Sequence, residues 1–327
     1  MAPPRSRIDE SDEDITSRVE LRRHRENQLG EGSFGQVYRA WYTQRGGEKI
    51  LASNVQVAVK VVMCTALNKK KVKERLMREI ITWNRVSKKE EVADFMGIYQ
   101  VPNEPPYLVM PYYKNNKLLH YLATRQPHER LARQSTRGLI HAVQAKEITR
   151  GLDLLHGNRV IHGDLKPENI LVSDAGCAQI ADFGFALIPE LEGFTTFADR
   201  NVRHSAPELL PLSNVDIATK PTRQSDIYSL GILLLQIFDG RVDCLPYEHV
   251  PISNRDPTES ALLSRIHDGE RPKRRSHPNI SDSMWSVIAA CWVGIPSARP
   301  SIQEVRSWLN LEVELGPRTS GQIMHAH

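Results

Sequence analysis

Apart from one helical stretch, the apolar residues of this chain of 327 residues pass from a strand period to a helix period close to residue 111, and that change limits the folds open to it. Before residue 111 apolar and polar side chains alternate, as in Gln36-Val-Tyr-Arg-Ala-Trp-Tyr42 and Val57-Ala-Val-Lys-Val-Val62, with a turn at Gly46-Gly47 between them. A period of two predicts strands. Residues 69–86 break the alternation, with Val72, Leu76, Ile80 and Trp83 at helical spacing; Trp83 reads as core packing. Two more strands are expected, at 96–101 and 107–110, on either side of the turn-rich Pro102-Asn-Glu-Pro-Pro106. After Pro111 the pattern is helical at 118–124, 139–156, 226–238, 259–267 and 284–292. A chain that keeps its strands and helices in separate stretches predicts an α+β fold: a small antiparallel sheet lobe with one main helix, then a larger, mainly helical lobe. Residues 1–26 are polar and charged and read as a flexible arm, and 313–327 as a C-terminal tail.

Composition excludes several classes. The chain is 40% hydrophobic and 25% charged, as an ordinary globular protein is. Its 43 Lys and Arg against 39 Asp and Glu leave +4, too mild a charge to imply a nucleic-acid partner. Cys64, Cys177, Cys244 and Cys291 are scattered, which fits reduced thiols in an intracellular protein. Met1-Ala-Pro-Pro-Arg5 has no apolar core and runs into acidic residues 9–14, so it does not read as a secretory signal. The most apolar stretch, 230–238, is about half the length of a membrane span and reads as a buried helix. A cytoplasmic or nuclear protein with no nucleic-acid or membrane partner is expected, of open oligomeric state.

Chemistry concentrates at three places. Gly30-Glu-Gly-Ser-Phe-Gly35 is a glycine-rich loop, whose backbone N–H groups can come close to phosphates. A dinucleotide-binding oxidoreductase has the same spacing but needs a helix directly afterwards; here the alternation of a strand follows, which favours a β-hairpin flap. Lys60 stands at an apolar strand position, costly to bury unless anions meet it, and Glu79, nineteen residues on, is a candidate partner. In Val160-Ile-His-Gly-Asp-Leu-Lys-Pro-Glu-Asn-Ile-Leu-Val172, polar Asp164, Lys166 and Asn169 lie between two apolar runs, and Asp182-Phe-Gly184 begins thirteen residues after Asn169. Asn169 and Asp182 offer hard oxygen ligands suited to Mg²⁺, Lys166 can neutralise a migrating phosphoryl group, and Asp164 can accept a hydroxyl proton.

In this order the motifs resemble the eukaryotic protein kinase domain over residues 27–312, with 27–110 as N-lobe, 111–113 as hinge and 114–312 as C-lobe. The resemblance implies ATP as cosubstrate, Mg²⁺, and protein substrates. It implies that Leu29, Gly30, Glu31, Gly32, Ser33, Phe34, Gly35 and Val37 form the nucleotide loop, and that Lys60, braced by Glu79, holds phosphates. Leu29, Val37, Ala58 and Leu171 would enclose adenine, with Met110 at the back; Asp164 and Lys166 would be catalytic and Asn169 and Asp182 would hold the metal. Ala206-Pro-Glu208 resembles the end of the activation segment, Asp226 the buried helix aspartate, and Arg299 the partner of Glu208. Leu165-Lys-Pro-Glu-Asn169 has the form found in Ser/Thr kinases, whereas Cys291-Trp292 and Ala298-Arg-Pro-Ser301 resemble the tyrosine-kinase-like group, and the His-Gly-Asp variant is similar to that of its fungal members.

Two positions depart from the family. Gly163 replaces the arginine that grips a phosphorylated activation loop, so activity is expected not to depend on phosphate at Thr195 or Thr196, although Arg200 and Arg203 stand near enough in sequence to substitute. Asn201 stands where Ser/Thr kinases carry a threonine that helps hold the catalytic aspartate and lysine. The expected activity is γ-phosphoryl transfer to Ser or Thr. A pseudokinase-like ATP-binding scaffold and a dual-specificity or Tyr kinase are the alternatives. Lys273-Arg-Arg275 reads as a solvated surface loop.

Overall fold

The computed structural model describes residues 14–32, 35–44, 53–62, 69–124, 132–188, 201–211, 219–241, 243–250 and 260–315. The chain divides into two compact units, Met1–Lys114 and Asn115–His327. The first is a six-stranded antiparallel sheet with one long helix, the second is mainly helical, and the α+β class is as expected.

In the first unit the strands are β1 (Val19–Leu21), β2 (Gln28–Gly32), β3 (Gly35–Gln44), β4 (Ser53–Val62), β5 (Gly97–Tyr99) and β6 (Tyr107–Pro111), with helix α1 (Lys69–Val86) between β4 and β5. They run in the order β1-β3-β4-β6-β5, with β2 also paired to β3. Alternation sorts the two faces. Tyr38, Ala40, Val57, Val59, Val61, Tyr107 and Val109 turn to one side and form a core with Val19. Val37, Ala58, Lys60 and Met110 turn to the other, since Val37 pairs with Lys60 and Ala58 with Met110. The lysine is therefore kept out of the apolar core by register alone.

Residues 14–26 are not an arm. β1 pairs Val19, Glu20 and Leu21 with Tyr42, Trp41 and Ala40, and Ile15 N–H donates to Ile98 O at the opposite edge of the sheet (3.0 Å). Thr16 Oγ1 accepts from Gln100 N–H (2.7 Å). Apolar Ile15, Val19 and Leu21 pack on the core, while the arginines that made this stretch look solvated lie along the sheet. Arg18 stacks 4.4 Å from the centre of the Tyr42 ring, and Arg23 donates to Tyr107 Oη (2.9 Å). Residues 1–13, the Gly46-Gly47 turn and Cys64 lie outside the described residues.

The second unit contains α2 (Leu118–Thr124), α3 (Ala132–Gly157), α4 (Arg223–Asp239), α5 (Ser260–His267), α6 (Asp282–Cys291) and α7 (Ile302–Leu315), with a two-stranded ribbon of β7 (Ile170–Val172) and β8 (Ala178–Ile180). Helix α4 is buried nearly all round, as its apolar run predicts. It starts at a capping box, in which Thr222 and Ser225 bond each other's backbone N–H, and stops at Gly240 with φ +71°. Helix α3 begins seven residues before the expected 139, because polar Arg133 to Arg137 show no apolar period. Helix α7 was not foreseen, though Ile302, Val305 and Leu309 are buried at helical spacing. Arg274, expected to be solvated, donates to His277 O (2.6 Å) and pairs with Asp282 (3.1 Å), so it fastens its own loop. Among the described residues no helix is long and apolar enough to cross a membrane.

Because residues 14–27 tie two sheet edges, a chain begun at residue 28 should be less stable than one begun at residue 14. Losing the burial contributed by Val19 alone costs about 2 kcal/mol. Urea unfolding of the two chains measures it; equal midpoints would mean that the segment only rests on the surface.

Candidate functional site

In the first unit β2 and β3 form a hairpin, with Gly30, Glu31 and Gly32 paired to Val37, Gln36 and Gly35. Its tip, Ser33 and Phe34, lies outside the described residues. Gly35 has φ +149°, and a Cβ there would stand 2.0 Å from Val61 O, so only glycine fits. A strand follows Gly35, and this removes the dinucleotide-binding reading, which needs a helix. Leu29 lies on β2, and Val37, Ala58 and Met110 share the face that carries Lys60. Lys60 Nζ donates to Glu79 Oε1 at 2.7 Å, with 10% and 4% of the two side chains exposed. Removing one partner from a buried pair of this kind is costly.

In the second unit the loop between α3 and β7 carries Asp164, Lys166 and Asn169. Asp164 Oδ2 accepts from Lys166 Nζ (2.7 Å) and from Asn169 Nδ2 (3.0 Å), and the same amide also reaches Asp164 O (2.8 Å). Asp164 Oδ1 accepts no hydrogen bond from a described side chain or backbone group, so one carboxylate oxygen is fixed and the other is open to a new donor. The ribbon closes the site: Ile170 pairs with Ile180, and Ala181 N–H donates to Asn169 O (2.8 Å), which sets Asn169 beside the turn that begins at Asp182. Leu171 lies on β7 opposite Gln179. Asp182 has φ +63°, a conformation that costs a non-glycine residue about 1–3 kcal/mol. Its Oδ1 accepts from Gly184 N–H (3.3 Å). Asn169 spends its amide nitrogen on Asp164, which leaves Oδ1 as its ligand atom. An amide oxygen and a carboxylate at adjacent strand ends are a donor set that fits Mg²⁺.

Below this loop lies Asp226, on α4 and 1% exposed. Its carboxylate accepts from Gly163 N–H (2.8 Å), His162 N–H (2.9 Å) and His156 Nε2 (3.0 Å). His162 continues the chain of bonds. Its Nε2 faces Ala181 O (3.1 Å) and so carries the proton, and Nδ1 is left to accept from Asp164 N–H (3.3 Å). Sequence reasoning had assigned no role to His156 or His162. Arg299 and Glu208 pair in parallel (2.6 and 2.8 Å), as expected.

Gly163 has φ +75°, and a Cβ added to it would lie 2.8 Å from Phe185 O and 3.3 Å from Pro221. Arg203 is 4% exposed and donates to Pro246 O (2.5 Å); Thr195, Thr196 and Arg200 lie outside the described residues. Asn201 Oδ1 accepts from Arg203 N–H (3.0 Å) and faces His204 Nδ1 (3.1 Å). Among the described residues no hydrogen bond joins Asn201 to Asp164 or Lys166, so it does not reproduce the threonine's tie.

A second cluster, Asp239, Cys244 and His277, brings three ligand-type atoms within 4.8 Å of one another. It is already satisfied: Asp239 takes Arg241 Nε at 2.7 Å and His277 Nδ1 at 2.7 Å. Two ligands on one tetrahedral zinc stand about 3.3 Å apart. Burial pushes the Cys244 thiol up to about 12, away from the thiolate a metal needs.

A family model described as protein tyrosine and serine/threonine kinase matches residues 24–309. Among curated proteins, fibroblast growth factor receptor 1 of Pleurodeles waltl is 28% identical over 291 residues, covering 85% of this chain and 33% of the receptor. Serine/threonine-protein kinase SKM1 of Saccharomyces cerevisiae is 25% identical, covering 88% of this chain and 43% of that protein. Serine/threonine-protein kinase STY17 of Arabidopsis thaliana is 24% identical, covering 87% and 44%. The chain thus spans less than half the length of these relatives.

The geometry at residue 163 makes a prediction. Gly163→Arg restores the residue usual in kinases, yet it should destabilise this chain by about 1–3 kcal/mol, through a left-handed backbone and the contact with Phe185 O. Urea unfolding checks this; an unchanged midpoint would mean that the loop accommodates a side chain freely.

Proposed function

The chain belongs to the protein kinase family, and from that premise we propose that it transfers the γ-phosphoryl group of ATP to Ser or Thr hydroxyls of intracellular protein substrates, through a catalytic domain at residues 27–312. The observation that carries this reading is the state of Asp164, with one oxygen held by Lys166 and Asn169 and the other open. A carboxylate held in this way has one direction in which to receive an acceptor hydroxyl. Asp164 orients that hydroxyl and takes its proton as the new P–O bond forms. Lys166, already on Asp164, steadies the negative charge that gathers on the migrating group.

Lys60, fixed by Glu79, neutralises the α- and β-phosphates, and backbone N–H groups of residues 30–35 cover them. Leu29, Val37, Ala58, Met110 and Leu171 supply apolar surface for adenine. Asn169 and Asp182 would hold Mg²⁺, which when bound screens the phosphate charges. Protein positioning and charge stabilisation account for the rate, as little covalent work is required. Lys166, within Leu165-Lys-Pro-Glu-Asn169, favours Ser/Thr over Tyr acceptors, by resemblance to Ser/Thr kinases. All of Lys60, Asp164 and Asp182 are in place, which argues against a pseudokinase.

The test is transfer of labelled phosphate from ATP to a generic protein substrate, followed by phospho-amino-acid analysis. Wild type should label Ser or Thr, and excess chelator should stop it. Asp164→Asn should lower kcat by about 10²–10⁴-fold with nucleotide affinity little changed. Near wild-type turnover in the variant would remove Asp164 as the base, undiminished turnover in chelator would remove the metal assignment, and phosphotyrosine alone would overturn the acceptor class.

A further inference from the structure

The ring of His204 lies between two hydrogen-bond acceptors. Its Nε2 is 2.8 Å from Gln236 Oε1 and its Nδ1 is 3.1 Å from Asn201 Oδ1. Neither amide is free to turn over. Gln236 Nε2 donates to Cys244 O (2.8 Å), so a flip would set two acceptors against each other. Asn201 Oδ1 accepts from Arg203 N–H (3.0 Å), so a flip there would oppose two donors. A neutral imidazole has one proton and can satisfy only one of these acceptors; an imidazolium satisfies both. The ring is 6% exposed, and its backbone is pinned as well, since Ser229 Oγ donates to His204 O (2.8 Å).

We propose that His204 is a positioning residue for segment 201–205, holding Gln236 when neutral and tying Asn201 as well when protonated. In the neutral state the shorter bond to Gln236 persists, and the Nδ1 lone pair faces Asn201 Oδ1, which weakens the hold on the segment leading into Ala206-Pro207-Glu208. On acidification Nδ1 gains a proton and the segment is clasped at both ends. The effect on catalysis rests on the protein-kinase reading, in which this segment meets the protein substrate; the clasp itself does not.

The surroundings set the range of pH. Burial is the largest influence and holds the ring below the usual histidine value; the bond to Gln236 and the charges of Glu168 and Asp164 pull upward, and Lys166 adds to the lowering. Arg203, next in sequence, is bonded to Pro246 O, and the α4 groups that bond His204, Gln236 at its ring and Ser229 at its backbone O, are uncharged. A depressed folded-state pKa means that the stability associated with the neutral ring is full above the unfolded value of about 6.5 and is lost as pH falls through the folded value. The clasp is thus an acid-side state.

The experiment uses the full chain. Histidine-ring ¹⁵N spectra are recorded between pH 5 and 8 for wild type, His204→Gln and Asn201→Ala, together with kcat and KM for casein and for ATP. One ring signal absent from His204→Gln should pass from neutral to doubly protonated with a midpoint below about 6.5. The midpoint should drop further in Asn201→Ala, which removes the second acceptor. In wild type the KM for casein should fall at least about threefold across that midpoint with the KM for ATP unchanged, and in His204→Gln it should be flat. A ring that stays neutral throughout, a midpoint unmoved in Asn201→Ala, or superimposed casein profiles in wild type and His204→Gln would overturn the proposal. If His204→Gln does not fold, the Asn201→Ala midpoint decides. Absence of transfer from every protein at every pH would instead contradict the kinase reading, with the ring titration still deciding the clasp.

Discussion

The second unit is organised around a carboxylate that is almost wholly shielded from solvent. Asp226 sits in the first turn of a helix buried nearly all round, and accepts the N–H groups of two consecutive loop residues and one imidazole. A buried carboxylate is unfavourable unless such donors meet it, and the two loop N–H groups would be equally costly without it. The requirement is mutual, so the helix and the loop hold each other. From that point the bonds run outward through His162 to Ala181 and Asp164, and from Asp164 to Lys166 and Asn169. The polar groups of the loop are therefore placed by buried partners beneath them.

This arrangement explains why glycine is tolerated at 163. The carboxylate needs only the backbone N–H there, and the left-handed backbone of that residue suits glycine better than any other. What glycine gives up is a cation. Asn201 shows the same economy. It meets His204, so the segment before Ala206 is held from α4 through Gln236.

What could be read from the sequence was what lies close together in it. Lys60, Asp164, Lys166, Asn169 and Asp182 stood out because each is a polar residue in or beside an apolar strand-like run, where it is expensive without a function. The helix at 69–86 and the strand after Gly35 followed from periodicity, and register explains why Lys60 faces away from the core. Residues 14–26 read as an arm because four arginines and two glutamates conceal a three-residue strand, whose apolar members are seen to matter only once both sheet edges are in place. His204 gave no signal, since its partners stand three residues before it and thirty-two after it, and the meaning of its ring lies in which atoms those partners present.

The Asp226 carboxylate, and not the loop's own sequence, fixes the loop at residues 162–166. Asp226→Asn keeps the shape but replaces one acceptor oxygen by an NH₂ group that opposes a backbone N–H. Native-state hydrogen exchange at the amides of residues 162–166 tests this directly. The account predicts that exchange there accelerates by at least about tenfold, equivalent to about 1.4 kcal/mol of lost protection, while the amides of β3 and β4 are unaffected. Unchanged protection at His162 and Gly163 would contradict it.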